Sequence, residues 1–254
     1  MRLATFNILH ARSITDDKVD LDRFSAAIRH LDADVLALQE VDRAQPRSHR
    51  ADLTLLAAEA MSAPEHRFAA VLHGEPGLWT AATGDNQPET ASYGIALLSR
   101  YPVREWRVLN LPVLRRRAPM LWPGARWPAL VSDEPRAALA AVVQTPEGDL
   151  TVVATHLTFI PGWNMRQLRT LVRRVAPLPR PLVIMGDLNI GGARPARATR
   201  MQALAKAHTF PVAHPLRQLD HILAKGDVRP CGPARALDTG LSDHRALVVD
   251  VALG

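Results

Sequence analysis

Cysteine is nearly absent from this chain of 254 residues, where Cys231 stands alone. A lone thiol excludes an intramolecular disulfide and a cysteine-rich metal site. With no catalytic-looking neighbours in sequence, Cys231 is expected to act as a small buried hydrophobe. No apolar run reaches the roughly 18 residues that read as a membrane span. The N-terminus enters a strand pattern at once, with no long apolar stretch behind a basic start. No secretory leader is therefore expected, and a cytoplasmic location follows by default. Aromatic residues are scarce, at 5% of the chain. Acidic residues are outnumbered, 25 against 31 basic ones, for a formal charge of +6. That balance suits an anionic partner such as a phosphodiester or phosphate ester, without selecting nucleic acid. Neither an internal repeat nor a linker is visible, so residues 1–254 read as one domain, with a monomer as the default.

What the chain does have is a set of apolar runs that end in polar residues. Leu182 to Ile190 is the most informative. A β-branched run reads as a buried strand, breaks at Gly186, and offers Asp187 and Asn189 two positions apart. In an extended chain such residues point the same way. A carboxylate beside a carboxamide can hold a metal or orient a water, or can simply form a turn at the strand end. Arg2 to Leu9 reads as the first strand, interrupted by Asn7, a residue disfavoured in strands. Asp34 to Asp42 is a second buried strand, with Glu40 near its end. Tyr93 to Arg100, Val103 to Leu109, Ala137 to Thr145 and Leu150 to His156 follow. Pro146 to Asp149 makes the turn between the last two.

Helices are expected after Asp20, a plausible N-cap, where Phe24, Ala27, Ile28 and Leu31 share a face. Others are expected over Ala51 to Met61, over Asn164 to Val175 with Asn164 as cap, and over Met201 to Ala207. Gln218 to Leu223 reads as a strand whose alternation puts Asp220 and His221 on opposite faces, so only one can join a site. Ser242-Asp243-His244 leads into the final strand. Two segments lack periodicity. His73 to Ala91 is a long loop of the kind that is often functional. Leu111 to Arg136 interleaves Arg115, Arg116, Arg117 and Arg126 with Trp122 and Trp127. That pattern suits phosphate contact with stacking on a base or lipid headgroup, or a stiff surface loop whose tryptophans pack on the domain.

Taken in order, Thr5-Phe6-Asn7, Gln39-Glu40, Tyr93-Gly94 with Leu98-Ser99-Arg100, Thr155-His156, Gly186-Asp187-Leu188-Asn189, Leu219-Asp220-His221-Ile222 and Ser242-Asp243-His244 resemble the endonuclease/exonuclease/phosphatase superfamily. The motifs span residues 5 to 244. The resemblance implies an α/β (α+β) four-layer sandwich of the DNase I-like kind, with two packed mixed β-sheets flanked by helices. It also implies Mg²⁺-assisted phosphoester hydrolysis, with Mn²⁺ as the alternative ion. Such an ion prefers oxygen ligands and keeps several waters, so one or two carboxylates suffice. By resemblance Glu40 is the chief metal ligand, with Asn7 and Asp243. Asp187 orients and deprotonates the attacking water, and Asn189 positions water or phosphate. His244, paired with Asp243, donates to the phosphate. His156 binds the phosphate or protonates the leaving group. Asp220 is polar support or a second metal contact. Asn7, His156, Asn189, Asp220 and His244 together form the substrate-binding set.

The sequence departs from the family at Ile95, where many relatives carry Asn after the glycine. His156 also lowers the expectation of abasic-site repair, and Leu111 to Arg136 matches no assigned segment. A nuclease-like phosphodiesterase is the first reading. A phospholipid-headgroup or small-metabolite phosphodiesterase or phosphatase is the alternative. A non-catalytic binding protein on the same fold comes third.

Overall fold

The computed structural model describes residues 1–82, 90–121, 124 and 126–254. Part of the 73–91 loop, and Trp122 of the 111–136 loop, therefore lie outside the described residues. The elements run β1 (Arg2–Asn7), α1 (Leu21–Leu31), β2 (Val35–Arg43), α2 (Leu53–Met61), β3 (Glu65–His73), β4 (Thr80–Ala81), β5 (Ser92–Ser99) and β6 (Val103–Asn110). They continue with β7 (Ala118–Met120), β8 (Ala129–Val131), β9 (Ala137–Thr145), β10 (Gly148–His156), α3 (Trp163–Val175) and β11 (Leu182–Asp187). The last are α4 (Arg194–Thr199), β12 (Gln202–Ala203), β13 (Asp220–Lys225), β14 (Val228–Pro230), β15 (Arg235–Leu237) and β16 (Ala246–Leu253).

Two mixed sheets form. The first has the order β14-β16-β1-β2-β5-β3-β4, with β15 also paired to β16. The second has the order β12-β13-β11-β10-β9-β6. Their inner faces meet through Leu3, Val35, Ala37, Ile95 and Leu97 on one side and Val152, Ala154, Val183, Met185 and Ile222 on the other. The outer face of the first sheet is covered by Phe24 and Ile28 of α1 and Leu53 and Ala57 of α2. Leu168 and Leu171 of α3 cover the second. Strands buried on both faces carry continuous apolar runs rather than alternation, which is the pattern of Val35 to Leu38 and Leu182 to Met185. The result is the four-layer sandwich that the resemblance implies.

Asp20 caps α1 by accepting from Arg23 N at 2.9 Å, as expected. Other expectations need correction. The helix expected over Met201 to Ala207 does not form. Instead α4 occupies Arg194–Thr199 with Pro195 in its first turn, and ends where Arg200 turns left-handed. Proline is pre-organised for a helix start, and the residues that follow gain more by pairing. Gln202 and Ala203 add an edge strand to β13. The cap of α3 is Gly162, while the Asn164 side chain accepts from Gly162 N and Met165 N. The strand expected from Gln218 begins at Asp220. Within the 111–136 segment, β7 and β8 form a small hairpin. Cys231 is exposed rather than buried, just past the short edge strand β14, with its N–H still bonded to the Asp250 carbonyl. No helix among the described residues is long and apolar enough to cross a membrane.

Candidate active site

Strand pairing alone assembles most of the constellation. In the second sheet β10 and β11 run parallel with His156 beside Asp187, and β13 runs antiparallel with Asp220 opposite Asp187. One row across three strands therefore holds His156, Asp187 and Asp220. In the first sheet Asn7 ends β1 beside Gln39 of β2, and His244 precedes β16. The two sheets bring these ends together.

Local backbone features aim the side chains. The register of β2 against β5 slips between Gln39 and Val41, and Glu40 adopts a positive φ of 58°. Such a bulge lifts one residue out of the ladder and re-aims its side chain. A positive φ is uncommon for Glu, so the turn is held by its surroundings. At β11, Gly186 has φ 150°, and a Cβ there would lie 1.9 Å from the Thr155 carbonyl oxygen. Only glycine lets β10 and β11 approach this closely. Asn189 takes a left-handed conformation at φ 51°, which Asn tolerates, and its N–H donates to Asp187 Oδ1 at 2.9 Å.

Asn7 links the two sheets. Its Nδ2 donates to Glu40 Oε1 at 3.0 Å and to Asp187 Oδ2 at 3.2 Å. Asp187 Oδ2 also lies 3.6 Å from His156 Nε2 and 3.7 Å from His244 Nε2. Burial raises the Asp187 pKa, against the lowering effect of His244, so the carboxyl titrates well above the usual range. Burial alone would lower the His244 pKa. Asp220, Asp187 and Asp243 outweigh it and hold the ring at about 10. His244 is therefore an imidazolium at neutral pH.

The partner of that ring corrects an expectation. Asp220, not Asp243, accepts from His244 Nδ1, at 2.9 Å. Asp243 acts on both groups through its charge: after desolvation it raises the Glu40 pKa, and it also raises that of His244. Leu241 to His244 is a bend with Ser242 at a left-handed φ of 63°, so adjacency in sequence does not set the hydrogen-bond partner. His221, as alternation predicts, faces away from Asp220, and its Nε2 donates to the Ile190 carbonyl.

His156 is neutral. Burial first, then Arg136 and His244, push its pKa well below the ordinary value. Arg136 Nη1 lies 3.1 Å from His156 Nδ1. A guanidinium can only donate, so Nδ1 accepts and the ring proton sits on Nε2, which lies 3.4 Å from the Asn189 side-chain amide and 3.6 Å from Asp187 Oδ2. The Asn189 Nδ2 is engaged by the Leu157 carbonyl at 3.0 Å, so its amide nitrogen braces the loop. Arg136 was not singled out in the sequence as a site residue. It is 5% exposed, and the available signal was a charge directly before the apolar run of β9.

Two groups of donors can be weighed for a cation. Asp187, Asp220 and His244 place one ligand atom each within 4.8 Å of one another. However, the His244 imidazolium has no lone pair to give, and its Nδ1 is already bonded to Asp220. Desolvation first, and then the like charge of Asp243, raise the cost of keeping Glu40 ionised, while the Asn7 amide N–H relieves part of it. The two carboxylates are the oxygen donors a hard divalent ion prefers, whereas the Asn7 atom turned toward Glu40 is Nδ2, its Oδ1 accepting from Leu9 N at 3.2 Å.

A family model described as the Endonuclease/Exonuclease/phosphatase family matches residues 4–244. The uncharacterized protein YbhP of Escherichia coli K12 is 27% identical over 272 residues, covering 99% of this chain and 96% of YbhP. An endonuclease/exonuclease/phosphatase from Beutenbergia cavernae has the same fold, with a TM-score of 0.75 and 24% identity, over 100% of this chain and 72% of that one. A mannosyl-6-phosphatase of Bacteroides thetaiotaomicron aligns with a TM-score of 0.66 and 16% identity, over 100% of both chains. Those structural likenesses establish the fold, and the family model spans nearly every residue of the constellation just described. The chain belongs to the endonuclease/exonuclease/phosphatase family, whose members are mostly metal-dependent hydrolases of phosphoesters.

Proposed function

We propose that the protein is a Mg²⁺-dependent phosphoesterase that hydrolyses a phosphodiester with an activated water. The observation that carries this reading is the Asn7 carboxamide bridging Glu40 and Asp187, with two histidine Nε2 atoms converging on the same Asp187 Oδ2. Glu40 and Asp243 would hold the ion, and Asn7 would join them through Oδ1 once its carboxamide turns from Glu40. Bound there, Mg²⁺ supplies positive charge beside the phosphoryl and leaving oxygens.

The protein's own groups divide the remaining work. Asp187 takes the proton of the attacking water, and its raised pKa places it nearer the operating pH, where a general base is most effective. Its hydrogen bonds to Asn7 Nδ2 and Asn189 N fix the orientation of the carboxylate. His244, held as imidazolium by Asp220, donates from Nε2 to a phosphoryl oxygen. His156 donates a neutral N–H to another. Pre-aimed donors of this kind act where negative charge develops and need no reorganisation. Each of these contacts engages the phosphoryl group, and none selects the alcohol.

The nuclease-like reading draws on the basic balance. The phospholipid-headgroup reading draws on the apolar rim described below, and we favour it for that reason. A non-catalytic role is disfavoured, because a binding protein has no need of a raised carboxyl beside an imidazolium. Hydrolysis of a soluble chromogenic phosphodiester, with and without Mg²⁺ or Mn²⁺, tests the activity. Metal-dependent turnover lost in Glu40→Gln is the expected result. Equal rates in wild type and Glu40→Gln would sink the reading.

A further inference from the structure

The described residues leave eight large apolar side chains exposed, and all lie toward the end of the sandwich where the site opens. Ile14 follows β1, and Leu78 lies between β3 and β4. Trp127 and Leu130 belong with two others to the 111–136 connection between β6 and β9. Leu216 lies between β12 and β13, and Leu55 sits in the first turn of α2. Exposure reaches 81% for Leu78, 80% for Trp127, 74% for Leu216 and 64% for Leu130. The connections at the opposite end, such as those over residues 99–103, 145–148 and 225–228, expose none of this kind. Single exposed hydrophobes are ordinary, but a set drawn from separate loops to one end is a sign of an interaction surface.

We propose that this rim docks on an anionic phospholipid bilayer and presents the site to headgroup phosphodiesters. The substrate half rests on the phosphoesterase reading above, while the docking half does not. Apolar side chains carried on separate loops around an opening meet a plane more readily than a pocketed protein partner. Aliphatic tips such as Leu78, Leu130 and Leu216 gain nothing from a nucleic-acid backbone. They do gain from entering the headgroup boundary, where binding grows with buried apolar area and with attraction to anionic lipid. Tryptophan suits that boundary, having an apolar body and one polar N–H.

Charge complements the apolar tips. Arg115, Arg116, Arg117 and Arg126 are exposed in the connection that bears Trp127. The acids at its end are already engaged, since Asp133 accepts from Leu114 N and Glu134 pairs with Arg136. Among the described residues those four arginines form no ion pair. Clustered arginines beside an apolar tip are drawn to the negative surface of a bilayer.

Sedimentation of the purified full chain with vesicles tests the proposal. Phosphatidylcholine alone is compared with mixtures containing phosphatidylglycerol, and fluorescence anisotropy with a single-stranded oligonucleotide runs alongside. Binding that grows with phosphatidylglycerol content is expected, and the double variant Trp127→Ala/Leu130→Ala should lose about tenfold in partition. Leu216→Asn, on a separate loop, should weaken it too. These exposed-site variants should keep the wild-type rate on a soluble phosphodiester, and Glu40→Gln should keep full vesicle binding. No sedimentation with anionic vesicles, or sedimentation unchanged by both rim variants, overturns the docking. Tight oligonucleotide binding without vesicle binding overturns it in favour of a nucleic-acid face. Turnover of the soluble phosphodiester with none of vesicle-borne phospholipid overturns the substrate half alone. Vesicle binding by a protein that cleaves nothing leaves the docking standing and removes the phosphoesterase reading.

Discussion

His244 Nδ1 lies 2.9 Å from Asp220 Oδ2, although the two residues are separated by 24 positions, one preceding β16 of the first sheet and the other opening β13 of the second. The carboxylate keeps the ring charged and turns its Nε2 toward Asp187. Replacing Asp220 with Asn removes the charge and keeps the shape. The rate should fall about 100-fold, within the usual range for a positioned proton-handling group, with little change in KM. The alkaline limb of the pH–rate profile should move down from about 10. A limb that stays in place in the variant would show that Asp220 does not set the His244 charge.

A bell-shaped pH profile is the second expectation. Asp187 must be ionised to accept a proton, so the rate rises through about 7. His244 must be protonated to donate, so the rate falls through about 10. The stability consequences have definite signs. The folded-state pKa of His244 is raised, so its contribution is complete below about 6.5 and is lost as pH rises through about 10. Asp187 is also raised, so the folded state holds its proton between 3.8 and about 7 while the unfolded chain has released it. Stability from that group falls as pH rises through this window.

Asp187→Asn separates those two roles. It should abolish turnover and, at pH 8, raise Tm by about 2 °C or more, because a buried carboxylate is replaced by a neutral amide. Thermal unfolding at pH 5 and pH 8 checks this. A Tm lower than wild type at pH 8 would mean that the carboxylate stabilises the fold.

Arg136→Met tests the tautomer of His156. Without the donor to Nδ1, the ring can carry its proton on either nitrogen. The rate should fall about tenfold, and the ¹⁵N resonances of the His156 ring should leave the Nε2–H pattern. Unchanged ring resonances would exclude the role assigned to Arg136.

Gly186→Ala should be among the most damaging substitutions outside the chemical groups. The added Cβ would sit 1.9 Å from the Thr155 carbonyl, and only backbone movement relieves that contact. A loss of about 3 kcal/mol or more in denaturant unfolding is expected. A loss below about 1 kcal/mol would mean that the two strands separate easily.

The sequence carries the sheets well, because strands buried on both faces declare themselves as unbroken apolar runs such as Leu182 to Met185. It also places Asn7, Glu40, Asp187 and His244, each at the point where such a run meets a polar residue. What it conceals is set by distant partners. The Asp220–His244 bond spans two sheets, and adjacency favoured Asp243 instead. The Glu40 bulge depends on register against β5, which no local pattern encodes. Edge pairing of Gln202 and Ala203 with β13 overrode a helical spacing over Met201 to Ala207. Arg136 ends a segment with no periodicity, and only its charge directly before the run of β9 hints at its burial against His156.

On the proposed mechanism, the Asn7 bridge ties turnover to the state of the whole sandwich. Glu40 reaches the reaction centre from one sheet and Asp187 from the other, and a single carboxamide spans the seam. A swollen state with its strands intact but its inner faces loosened would separate the ion's ligands from the base. Turnover would then vanish while far-ultraviolet dichroism still looked native. On that mechanism the protein would report on its own compaction, going silent on heating before the chain unfolds.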